Sequence, residues 1–222
     1  MSTDTTDLIE RLAGSAQPVR RLAPPWRRAL WWCALALAFV VLGALIGPAP
    51  GVARMMSDGR FLAEQVAAAA TAVLAAVAAF SSAVPGASRR WLWLPLFPLA
   101  VWIGTIGQGC IADWARLGSD GLRVRADWSC FGPMLAVGIV PTAVLCLMLR
   151  RGAAVRPSLS LALGGLAAAA ATNVALQMFH VGDVSIMVLV WHVGGALLLT
   201  TLAAWLGRWA LPFPGQQSGR AL

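Results

Sequence analysis

The chain has 222 residues, of which 59% are hydrophobic and only 12% charged, and its formal net charge is +8. Soluble globular domains are about 45–50% apolar and about 25% charged. With a mean hydropathy of +0.74, the composition excludes a disordered chain, a collagen-like repeat and a disulfide-stapled secreted scaffold. All 17 basic residues are arginine, a balance that raises nucleic-acid binding until the arginines are set against the apolar runs between them.

Residues 1–29 form a polar leading segment. Ser2-Thr3-Asp4 offers N-cap chemistry, and Asp4, Asp7 and Glu10 suit the positive end of a helix. Leu8, Ile9 and Leu12 then fall on one face, and Gly14 is a stop signal. A lone helix of about ten residues is marginal in water, so its apolar face calls for a partner, either a protein groove or the membrane surface. The stretch from Pro18 to Arg28 follows, stiffened by its prolines. It carries Arg20, Arg21, Trp26, Arg27 and Arg28, which read equally as a partner-binding segment or as a basic anchor on lipid.

Six apolar runs come next, at 30–47, 61–81, 91–106, 131–149, 159–178 and 184–206. A bilayer core about 30 Å thick needs roughly 20 such residues per helix. Backbone groups in hydrocarbon must be satisfied within the segment, so each run reads as a helix. Trp26, Trp31, Trp32, Trp91, Trp93, Trp205 and Trp209 stand near the ends, as an interfacial belt does. The polar sequence ahead of residue 30 is too long for a signal-peptide n-region, so the first run is expected to be a retained span. The expected architecture is an all-α integral membrane six-helix bundle, with a six-span domain at 30–206 and a short tail at 207–222.

Six spans put both termini on one side. That side collects twelve arginines, at positions 11, 20, 21, 27, 28, 89, 90, 150, 151, 156, 208 and 220, against three acids. The other side has five, Arg54, Arg60, Arg116, Arg123 and Arg125, against six acids. Arginine in short flanking loops marks the cytoplasmic face, so both termini are expected in the cytoplasm. The basicity is then accounted for by topology and anionic headgroups, and no direct contact with nucleic acid is expected.

Cys33 and Cys146 fall at inner helix ends and read as inert thiols. Cys110 and Cys130 flank the longest outer loop, Cys110 following Gly107-Gln108-Gly109 at the expected exit of the third span. His180 lies in the turn between the fifth and sixth spans, and His192 is about 12 Å further down the sixth. With Asp113 and Asp183, these residues share the outer half. Two thiols and two imidazoles make a soft-metal ligand set, but no pair has compact motif spacing. Three readings stay open: a structural disulfide or plain thiols, a redox-responsive pair, and a metal site at Cys110, Cys130, His180 and His192. No nucleophile–base arrangement supports an enzyme, and no resident cofactor is expected. A small transporter or metal-binding membrane protein is the competing class, although 30–106 and 131–206 show no internal repeat.

The chain resembles the NrsF-type membrane anti-sigma factors almost end to end. The resemblance rests on Pro18-Val19-Arg20-Arg21-Leu22 with Pro25-Trp26-Arg27-Arg28, and on Val84-Pro85-Gly86 before Ser88-Arg89-Arg90-Trp91. It continues in Gly109-Cys110 with Asp113-Trp114, Trp128-Ser129-Cys130-Phe131 and Met148-Leu149-Arg150-Arg151-Gly152. It ends in Phe179-His180, Asp183, Ser185 and Met187 through His192. The resemblance implies a six-helix protein of the bacterial inner membrane that holds an extracytoplasmic-function sigma factor inactive. It further implies that Cys110 and Cys130 sense heavy-metal or oxidative stress from the outer face. It assigns nothing to Cys33, Cys146, His180 or His192.

Overall fold

The computed structural model describes residues 2–15, 22–46, 55–122, 128–152, 156–177 and 185–211. Among them every regular element is helical and no strand occurs. Helix α1 covers Ser2–Ser15. Helix α2 covers Pro25–Ile46, starting ahead of the expected residue 30 because proline suits a first helical position, where its missing N–H has no partner to lose. Helix α3 is Gly59–Ser82, capped by Asp58, whose carboxylate accepts from the Arg60 N–H at 3.0 Å. A turn with Gly86 at φ +80° leads to a 3-10 stretch, Arg89–Trp93, and then to α4, Leu96–Leu117. Helices α5, Trp128–Leu149, and α6, Pro157–Gln177, follow. The chain then runs through α7, Ser185–Val188, a π-helical stretch, Leu189–Val193, and α8, Gly194–Ala210.

Five stretches are long and apolar enough to cross a membrane: Pro25–Leu42, Gly59–Ser82, Arg89–Asp120, Pro157–Gln177 and Leu189–Gly207. They make this a membrane-associated protein. In α5 the described apolar stretch is the shorter Val137–Leu149.

The main departure from expectation is α4, which continues through Gly107-Gln108-Gly109 instead of ending at residue 106. Trp102, Ile106, Cys110 and Asp113 recur every three or four positions and are all buried. The longer helix thus keeps one stripe packed against α3, which outweighs a helix cost of about 1 kcal/mol per glycine. Cys110 therefore lies inside a helix, not at its exit.

Helices α3 and α6 are central, and α6 packs most extensively on α8 and α3. Ala68, Ala75, Ala76 and Ala79 on α3 and Ala167, Ala168 and Ala170 on α6 are fully buried. Such small faces let helices approach closely where lipid offers no hydrophobic driving force. Many large apolar side chains point outward, Phe97 at 79% exposure and Leu45 at 78%, as a lipid-facing surface does.

One end of the bundle is basic. The Arg28 guanidinium lies 4.6 Å from the centroid of the Phe80 ring and donates to the Met148 carbonyl. Arg150 Nε donates to the Ala210 carbonyl at 3.0 Å, and the Ser82 and Ser160 hydroxyls bond at 2.8 Å. These contacts tie the start of α2 and α6 to the end of α3, α5 and α8.

Candidate functional site

Two regions hold the chemistry, one at each end. Away from the basic end, polar side chains are buried between helices. Gln177 Nε2 on α6 donates to Glu64 Oε1 on α3 at 2.8 Å. One turn back on α6, Asn173 and His192 Nδ1 are hydrogen-bonded at 2.5 Å. All four residues are buried. His192 sits in the π-helical stretch, a widened turn that frequently accompanies functional positions.

The layer is polar beyond those pairs. Both amide atoms of Gln65, Nδ2 of Asn173, Oγ1 of Thr172 and Nε1 of Trp102 are buried with no hydrogen-bond partner among the described residues. Each such atom costs about 1–3 kcal/mol, and polar groups at membrane depth usually mark function. On α4, Asp113 is buried and takes an ion pair from the exposed Arg116 at 2.6 Å. Cys110, three residues earlier, is a buried free thiol.

Of the residues expected to share the outer half, Cys110 and Asp113 thus lie on one stripe of α4, while His192 is engaged by Asn173. Among the described residues no three His, Cys, Asp or Glu side chains gather closely enough to hold a metal ion. Cys130 stands in the first turn of α5, its side chain outside the described residues, as are His180 and Asp183. Glu64 is not among the residues to which the sequence pointed, and neither are Asn173 and Gln177. The signal was there: they are the two amides of an otherwise small and apolar helix, four residues apart and so on one face.

At the basic end the partner-binding candidates divide. Leu8, Ile9 and Leu12 on α1 are 56%, 60% and 61% exposed, and residues 5–15 are exposed throughout. Trp26 and Arg27 are also exposed, whereas Arg28 is turned inward to 7% exposure and clamps α2 against α3 and α5. Arg20 and Arg21 lie outside the described residues.

No curated protein and no solved structure matches the chain. A family model described as negative regulator of sigma F, NrsF, matches residues 12–213, a range that takes in α2 through α8, the buried polar layer and the basic end. A sigma factor is the partner which that description implies. The chain belongs to the NrsF family of negative regulators of sigma factor.

Proposed function

We propose that this protein is a six-span anti-sigma factor of the bacterial inner membrane, with both termini cytoplasmic. It holds an extracytoplasmic-function sigma factor at its basic end and acts as a regulator, without catalysis. The observation that carries the reading is the exposed apolar stripe Leu8, Ile9 and Leu12 on α1, joined through the basic segment around Trp26 and Arg27 to the membrane helices. Fully burying one such side chain is worth roughly 1.5–3 kcal/mol, and each 1.4 kcal/mol is about tenfold in affinity. The variant Leu8→Asp/Ile9→Asp/Leu12→Asp is therefore expected to reach the membrane normally and to retain its sigma factor at least about a hundredfold more weakly. Co-purification from detergent-solubilised membranes measures this. Undiminished retention would remove α1 from the binding role.

Release is proposed to begin at Cys110 and Cys130, as metal capture or oxidation. Cys110 belongs to the α4 stripe packed on α3, and α3 runs directly into the basic end, so a change there has a continuous route. Moving a two-state equilibrium from 1:99 to 99:1 takes about 5.5 kcal/mol; making one disulfide supplies about 2–4 kcal/mol of it. Cys110→Ser/Cys130→Ser is expected to leave repression intact and abolish induction by cadmium or peroxide in a sigma-dependent reporter. An unchanged induction curve would count against the sensor. The buried Glu64–Gln177 and Asn173–His192 pairs favour one competing reading, a small transporter, for which substrate uptake into proteoliposomes is the test.

A further inference from the structure

The arginines of the basic end are not equivalent. Arg28 and Arg150 are committed to helix-end carbonyls. Arg89, in the 3-10 stretch, and Arg156, just before α6, instead line a cavity of about 260 Å³ with Ser82, Gly86, Trp91 and Leu159. Among the described residues no acidic one lines it. Neither guanidinium has an ion pair among the described residues, where the salt bridge at hand is Asp113–Arg116, toward the opposite end. Two cationic residues from separate elements thus line one space. That donor set fits a phosphate, which guanidinium groups bind by charge-assisted and often bidentate hydrogen bonds.

What adjoins the cavity selects the source of the phosphate. Following Trp91 in the chain, Trp93 is 70% and Phe97 79% exposed, with Leu94 and Leu96 exposed between them. This apolar strip leads from the cavity along the start of α4, which is where acyl chains would run from a phosphate held at Arg89 and Arg156. An acidic peptide would have no use for it. Tryptophan at this level is the usual interfacial anchor, and basic pockets between membrane helices suit anionic headgroups. We propose that the cavity between the α3–α4 turn and the start of α6 is a binding site for the phosphate of an anionic phospholipid, with Arg89 and Arg156 as its cationic ligands.

The test uses the full chain purified in detergent. Phosphatidylglycerol, phosphatidylcholine and inorganic phosphate are titrated separately, with the thermal unfolding midpoint and lipid retention in native mass spectrometry as readouts. Phosphatidylglycerol is expected to raise the midpoint and stay bound, and phosphatidylcholine to do neither. Arg89→Gln/Arg156→Gln is expected to weaken phosphatidylglycerol binding at least tenfold. Arg90→Gln/Arg151→Gln, which removes equal charge from the same end outside the cavity, is expected to leave it intact. Should the glutamine variant not fold, Arg89→Lys/Arg156→Lys keeps the charge and loses the bidentate fork, so binding should still fall several-fold. Equal binding of the two lipids, or equal loss in both arginine pairs, would overturn the site. A response to inorganic phosphate matching that of phosphatidylglycerol would overturn the lipid as its source. Intact lipid binding with loss of the sigma factor in Arg89→Gln/Arg156→Gln would give the cavity to the protein partner.

Discussion

Replacing Gly207 with valine is expected to force α8 away from the start of α6, with a large loss of stability for a single substitution. A Cβ at position 207 would stand 2.7 Å from the Pro157 carbonyl oxygen and 2.8 Å from Ser158 Cα. Both atoms are backbone, so no rotamer change relieves the clash. Gly165 is nearly as tight, its added Cβ meeting Ala203 Cβ at 2.9 Å and Thr200 Cα at 3.0 Å. Overpacking costs about 1–3 kcal/mol per site, and both sites lie on the most extensive helix contact in the fold. Gly165→Val/Gly207→Val should therefore cost about 3 kcal/mol or more, read as the unfolding midpoint by circular dichroism in detergent. Gly194→Ala is the matched control, since a Cβ there meets nothing within 4 Å. If Gly207→Val unfolds with the control, the α6–α8 contact does not hold the bundle together.

The second large effect is expected at the Glu64–Gln177 pair. Gln177→Leu removes the amide that donates to a buried carboxyl group, leaving an acceptor in a dry setting. The cost is about 3 kcal/mol, most of it the penalty of the stranded group. Removing both partners, Glu64→Leu/Gln177→Leu, should cost less than about 1 kcal/mol, because neither member of the pair is then left without the other. With Glu64→Leu as the second single variant, losses that simply add in the double variant would show that the two side chains are not coupled. The same cycle on Asn173 and His192 separates a structural hydrogen bond from one used in signalling, provided sigma-dependent reporter output is followed alongside stability.

The apolar runs at 30–47, 61–81, 91–106, 159–178 and 184–206 were legible because hydropathy is a local property. Each overlaps a helix that is long and apolar enough to span, while at 131–149 the described apolar helix is shorter. Ends were less legible. The glycines at 107 and 109 look like a stop, yet α4 runs on, because a buried stripe continuing to Asp113 depends on a neighbouring helix that no local pattern reveals. Arg28 offers the same lesson. Next to Arg27 in the chain it looks like half of an exposed basic pair, but a helix turns consecutive residues about 100° apart, and only the packing of Phe80 and Met148 shows which one faces inward.

By itself the sequence determined that this is a membrane protein of helices, with its arginine crowded toward one end, and it carried the resemblance that the family match bears out. Charge and hydropathy act over a few residues, so both can be read along a line. Only the tertiary structure decided which polar groups meet: Glu64 with Gln177, Asn173 with His192, and two arginines left facing a cavity while two others close helix ends. These pairings join residues far apart in the chain, and their energies exist only once the helices are packed. The net charge that first raised nucleic acid thus divides between arginines that hold the bundle, such as Arg28 and Arg150, and others exposed at its surface.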